Sequence, residues 1–141
     1  MITSTSNAQI KELAKLQKKS RLRDEKGIFL VEGPRMTEEI PAERIEKVYA
    51  SESFAKKNKE FLEKLQAPVE LLTDTVFAYV SDTKTPQGIL AIVKRLNYTM
   101  NDLMQMKNQK APHLVVLDNL QDPGNLLGLY HRVRDGNGCY P

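Results

Sequence analysis

The sequence predicts a layered α/β domain occupying residues 1–95, because short apolar runs bounded by turn formers alternate with stretches of helical periodicity throughout that span. Two further observations agree. The chain has 141 residues, 40% of them hydrophobic and 28% charged, which is the profile of a globular core with a solvated surface. It also has only 7 Gly and 7 Pro, too few for a collagenous or low-complexity chain.

The elements follow in order. Ser6 or Asn7 caps a helix whose apolar positions Ile10, Leu13, Ala14 and Leu16 recur every three to four residues, leaving Lys11, Lys15, Lys18 and Lys19 toward solvent. Gly27 closes the charged stretch 21–26, and Ile28-Phe29-Leu30-Val31 reads as a buried strand that Glu32-Gly33-Pro34 stops. Pro34 suits the first turn of a short helix over Arg35 to Ile40, which Pro41 ends. Ile45, Val48 and Tyr49 mark a second strand. Ser51 caps a single longer helix with Phe54, Phe61, Leu62 and Leu65 on one side and Lys56, Lys57, Lys59 and Lys64 mostly on the other. Val69 to Leu72 is a third strand, and Thr73 or Asp74 caps a brief helix containing Val76, Phe77 and Val80. After the loop Thr83 to Gly88, Ile89 to Val93 is the fourth strand, and right-handed crossovers are expected to hold the set together.

Residues 96–111 are polar with scattered methionines and read as a connector with a short helix. A new buried strand, His113 to Asp118, follows, with a turn-rich loop at its carboxyl end from Asn119 to Asn125. Sites in open α/β sheets form at such ends. Asp-Pro-Gly is also an ordinary turn sequence, so composition alone leaves that loop open between a turn and a site.

Charge is unevenly spread. Net charge is +3, yet residues 1–35 hold eight basic side chains (Lys11, Lys15, Lys18, Lys19, Arg21, Arg23, Lys26, Arg35) against four acidic ones, so this segment is +4 and the remainder −1. Such asymmetry fits a phosphate-contacting surface, and equally a solvated helix face. One cysteine and two histidines exclude a disulfide framework and make metal chemistry unexpected. No apolar run approaches the roughly 20 residues of a membrane helix, and Met1-Ile2-Thr3-Ser4 lacks a signal-peptide pattern, so a cytoplasmic address without membrane partners is expected.

Leu117-Asp118-x-x-x-Asp122-Pro123-x-Asn125, at the end of a strand, resembles the first catalytic motif of the SpoU or TrmH branch of the SPOUT class, the RNA ribose 2′-O-methyltransferases. Ile2-Thr3-Ser4 with Asn7 and Ile10-Lys11, Phe29-Leu30-Val31-Glu32-Gly33, and Pro86-Gln87-Gly88-Ile89-Leu90-Ala91 are similar, in order, to the substrate-binding domain that precedes the catalytic one. The resemblance implies a small α/β/α front domain like certain ribosomal RNA-binding proteins over 1–95, a linker at 96–111, and the beginning of a trefoil-knot domain at 112–141. It also implies methyl transfer from S-adenosylmethionine to a ribose 2′-hydroxyl of rRNA or tRNA, and a homodimer. Asn119 and Asn125 are then expected to order the loop around the ribose, and Arg132, after Gly128-x-x-x, to ease deprotonation of the hydroxyl.

Lys11, Arg21, Arg23 and Arg35 are the expected RNA contacts, because cations position a phosphate backbone without a precise fit. Glu32 at its strand end is either structural or a substrate contact, and Gln87 either belongs to a turn or touches RNA. The family's cofactor-binding and dimer segments have no counterpart in residues 1–141, so the chain is expected to be an inactive N-terminal fragment that does not bind S-adenosylmethionine. Leu126-Leu127-Gly128 holds one residue more than the family pattern, and Leu129 to Arg134 departs from its apolar run, so a reading-frame slip over 127–134 is a further expectation. A stand-alone RNA-binding module and a protein-interaction domain without RNA are the rival readings.

Overall fold

The computed structural model describes residues 1–105, and the chain divides into two compact units, Met1–Asn97 and Tyr98–Pro141. In the first unit α1 (Ala8–Lys18) and α2 (Ser20–Lys26) lead into β1 (Ile28–Glu32) and α3 (Pro34–Glu38), and a 3-10 turn (Ala42–Arg44) enters β2 (Ile45–Ser51). There follow α4 (Glu52–Lys57), α5 (Lys59–Lys64), β3 (Val69–Leu72), α6 (Asp74–Val80) and β4 (Ile89–Lys94). Of the second unit the described part is Tyr98 to Gln105, with α7 (Met100–Met104) closed by a capping box in which Thr99 and Asp102 satisfy each other's backbone N–H.

The four strands form one sheet in the order β1-β4-β2-β3. Strand β4 runs antiparallel to both neighbours while β2 and β3 are parallel, so the sheet is mixed, and among these four strands the β2–β3 pair alone has the parallel arrangement that needs a crossover. Both faces are covered. Along β4, Leu90 and Ile92 pack with Ile10, Leu13, Val76 and Phe77 of α1 and α6, whereas Ile89, Ala91 and Val93 pack with Phe54 and Leu65 of the opposite layer. This period-two alternation between two apolar layers makes an α/β/α sandwich and explains why β4 is a continuous apolar run rather than a polar–apolar alternation. The outer edge of β3 is occupied by Ile2, whose N–H donates to Leu71 and whose carbonyl accepts from Thr73.

Two expectations about helices are corrected. The charged stretch 21–26, to which the sequence assigns no element, belongs to a helix of its own over residues 20–26, after the basic helix ends at Lys19 in extended backbone. The helix after Ser51 is two short helices, because Asn58 turns its side-chain amide back onto the carbonyl of Phe54 and leaves helical geometry. Such side-chain competition for backbone partners is why Asn ends helices.

Tyr49 is 4% exposed on β2, and burial, then the carboxylates of Glu70, Glu12 and Glu46, hold its phenol above the ordinary range. A raised folded-state value means the folded protein keeps a proton that the unfolded chain has lost. Stability from this group is therefore full below about pH 10 and declines as pH rises beyond it. Thermal melts between pH 9 and 11 are expected to show a steeper decline for the wild type than for Tyr49→Phe.

Candidate nucleic-acid interface

Helix α1 buries Ile10, Leu13, Ala14 and Leu16, and its 3.6-residue turn therefore turns Lys11, Lys15 and Lys18, spaced four and three apart, to solvent. Asn7 caps the helix through Gln9 N–H, and no acid stands in the first turn. Lys11, Lys18 and Lys19 form no ion pair among the described residues, whereas Glu12 pairs with Lys26 at 2.8 Å. The Lys26 ammonium, by hydrogen bond and charge, keeps the Glu12 carboxyl below its usual range. At the break between α1 and α2 a concavity of about 430 Å³ opens, lined by Lys18, Lys19, Ser20, Arg21, Leu22 and Glu25.

Arg21 contacts Glu25 at 2.9 Å, but its side chain is 91% exposed, and so solvated a pair contributes under about 1 kcal/mol. Its guanidinium is readily given to a phosphate. Arg23 is different. Its Nη1 donates to the carbonyls of Leu16 and Gln17, the last-turn acceptors of α1 that lack helical partners. That guanidinium is occupied in joining the two helices.

Glu32, Arg35 and Gln87 lie elsewhere. Strands β1, β2 and β3 point the same way and β4 the opposite way, so the ends of the first three and the start of β4 share one edge of the sheet. The length of β1, about 16 Å for five residues, separates that edge from the end of α2. At this edge both Glu32 carboxylate oxygens accept from Ser81 Oγ (2.8 and 2.9 Å), and Oε1 also accepts from Thr83 Oγ1 (3.0 Å) and Gln87 N–H (3.2 Å). Glu32 thus ties down the loop from Ser81 to Gln87. The Gln87 side chain lies directly over Gly33, where a Cβ would stand 2.4 Å from its Oε1. Arg35 is exposed on α3 without an ion pair among the described residues.

The same edge carries a groove of about 370 Å³ between α4 and α6, floored in part by Phe54, Phe77 and Gly88. Ser53 donates to Asp74 Oδ1 through both its N–H (3.1 Å) and its hydroxyl (2.8 Å), tying the starts of α4 and α6 together. These donors, side chain first, hold the Asp74 carboxyl below its ordinary range. Gly88, at φ +80°, leaves space no side chain fits: a Cβ would lie 2.7 Å from Phe54 Cβ and 3.0 Å from Ser51 Oγ.

The six expected contacts therefore separate into two places, Lys11, Arg21 and Arg23 on α1 and α2, and Glu32, Arg35 and Gln87 at the sheet edge. Lys18 and Lys19, which complete the basic concavity, were not among them, although their spacing from Lys11 and Lys15 marks the same helix face. Nor were the groove residues Lys57, Asn58 and Asp74. Asn119, Asn125, Arg132 and the stretch 127–134 lie outside the described residues. Among the described residues no three His, Cys, Asp or Glu side chains are grouped to hold a metal ion, and no helix is long and apolar enough to cross a membrane.

A sequence profile of the MRM3-like substrate binding domain matches residues 7–91. The chain is 29% identical over 140 residues to the 23S rRNA (guanosine(2553)-2′-O)-methyltransferase RlmP of Bacillus subtilis, covering 97% of this chain and 51% of that protein. It is 32% identical over 132 residues to the human mitochondrial rRNA methyltransferase 3, covering 86% of this chain and 30% of that protein. The chain thus spans about half the length, or less, of these relatives. A solved RNA 2′-O ribose methyltransferase superposes with a TM-score of 0.61 at 29% identity, over 98% of this chain and 52% of its own. An AdoMet-bound rRNA methyltransferase from Sinorhizobium meliloti shares the fold with a TM-score of 0.57 at 17% identity, over 76% of this chain and 41% of its own. The expected SpoU/TrmH kinship and the mixed α/β fold are both borne out, and through residues 7–91 the chain belongs to the MRM3-like substrate-binding domain family.

Proposed function

We propose that residues 1–95 grip ribosomal RNA for a ribose 2′-O-methyltransferase, with 96–111 as connector and 112–141 as the opening of the catalytic domain. The observation that carries this reading is the Bacillus subtilis relative, whose alignment over 97% of the chain extends past the substrate-binding domain through Asp118 to Asn125. In this reading Lys11, Lys18, Lys19 and Arg21 meet phosphates and Arg35 supplies a further contact. Arg23 and Glu32 hold the interface in shape. Asn119 and Asn125 order the loop around the ribose, and Arg132 eases loss of the 2′-hydroxyl proton. S-adenosylmethionine supplies the methyl group. Homodimerisation and action in the cytoplasm belong to the same proposal.

Ribosomal RNA is favoured over tRNA because both curated relatives are named for rRNA. Fluorescence anisotropy with a 23S rRNA fragment centred on guanosine 2553 and with a tRNA transcript of similar length tests the choice. The rRNA fragment is expected to bind at least about tenfold more tightly, a difference of about 1.4 kcal/mol. Equal affinities would contradict an rRNA substrate.

A further inference from the structure

The groove between α4 and α6 shares no lining residue with the basic concavity at the break between α1 and α2, so that concavity does not explain it. Its walls combine apolar and polar surface in an unusual way for a domain edge. Phe54, Phe77 and Pro86 provide apolar lining, Gly88 leaves the base without a side chain, and Asn58 adds a carboxamide to the lining. Lys57 lines the same groove, is exposed, and has no ion pair among the described residues. An apolar cleft with a few converging amides and hydroxyls is the ordinary form of a site for a flat polar heterocycle.

We propose that this groove receives one unstacked nucleobase of the bound RNA, with its phosphate toward Lys57. The inference rests on the RNA-binding reading above and names a substrate feature within it. Asp74 decides which part of the nucleotide enters. Its ionised carboxylate lines the groove and would repel a phosphate, whereas the N–H groups of an adenine, guanine or cytosine edge can donate to it and to the Ser51 hydroxyl. A carboxamide donates and accepts at once, so Asn58 can meet either kind of base edge. Asn58 keeps its Oδ1 for this purpose, because the hydrogen bond to Phe54 uses only its Nδ2. RNA is read chiefly at unpaired positions whose bases can be splayed out, and a groove on a loop-bearing edge can take such a base where a duplex cannot enter.

Glu32 gains a role from this assignment. By holding the loop Ser81 to Gln87 it sets Pro86 and Gln87 as one wall of the groove, and so positions the site without touching the base.

The test uses the whole chain and the 23S rRNA fragment centred on guanosine 2553, with 2-aminopurine placed at each unpaired position in turn. A base that leaves the stack brightens. Ala78, exposed on α6 and lining the groove, is replaced by leucine to fill it, with Thr75→Leu on the exposed side of the same helix and outside the groove as the control. The wild type and Thr75→Leu are expected to brighten at least one position. Ala78→Leu is expected to lose that signal and bind about tenfold or more weakly, the scale of one lost base contact. Lys57→Ala is expected to weaken binding while keeping the signal. If no position brightens, or Ala78→Leu brightens and binds like the wild type, the groove is not a base site although the RNA reading stands. If the wild type does not bind the fragment, both fall.

Discussion

Replacement of Gly88 by alanine is expected to destabilise the domain by about 3 kcal/mol or more, from two costs that add. The first is conformational: at φ +80° an L side chain is strained, at a cost of about 1–2 kcal/mol. The second is steric. The new Cβ would stand 2.7 Å from Phe54 Cβ, an atom fixed to the α4 backbone, and 3.0 Å from the buried Ser51 Oγ that caps the same helix. Neither neighbour can swing away, and the N–H of Ser51 donates to the carbonyl of Gly88, so relief by backbone movement breaks a sheet-edge hydrogen bond. Gly27 separates the two costs. It also has positive φ, at +63°, but nothing lies within 4 Å of its Cβ position, so Gly27→Ala carries the conformational cost alone, about 1 kcal/mol. Urea unfolding of both variants measures the difference, and equal losses would contradict the close packing at Gly88.

The glycine also shows why the fold was legible in part. Positions 28–31 and 89–93 are short apolar runs between turn formers, and a strand covered on both faces must look like that, so their sequence carries the element directly. The N-caps at Ser51 and Thr73 were readable because a hydroxyl before an apolar-periodic stretch has one common use. Pairing was not readable. That β4 lies between β1 and β2 depends on contacts between residues 39 to 66 apart, and local pattern holds no record of them. The break at Asn58 was missed because the apolar spacing on either side of it fits one continuous helix.

The site divides along the same line. Lys11 and Arg21 were found by counting charge, and both are exposed on α1 and α2. Arg23 carries the same charge but spends it on the carbonyls of Leu16 and Gln17, a partner that a count of acidic residues does not reveal. Glu32 shows the converse: four hydrogen bonds to one loop account for a carboxylate in a block similar to the family's. The groove residues come from 51–58, 74–78 and 86–88, and only the sheet brings these three segments together. Ser53 and Asp74 look unremarkable in their own neighbourhoods.

The second large effect concerns the basic concavity. Changing Lys18, Lys19 and Arg21 together to alanine removes three of the five cations on the Lys11-to-Arg21 surface. If each meets a phosphate, the loss at exposed sites is about 0.5–1 kcal/mol apiece, so RNA affinity is expected to fall by one to two orders of magnitude. The same change is expected to lower the steepness of the salt dependence by about 2 to 3, because each phosphate contact releases a condensed counterion on binding. The fold should hold, since all three side chains are exposed and the buried face of α1 is unchanged. A variant that bound more weakly with an unchanged salt slope would point to damaged structure rather than lost phosphate contacts.

The central claim, that the α1–α2 surface exists to meet an RNA backbone, is tested most directly by the affinity of the unaltered chain for the 23S rRNA fragment as a function of salt. With the four cations Lys11, Lys18, Lys19 and Arg21 engaged, the logarithm of the association constant should fall against the logarithm of salt concentration with a slope of about −3, a loss of about 60-fold between 50 and 200 mM. A slope near zero, or no binding at 50 mM salt, would contradict it.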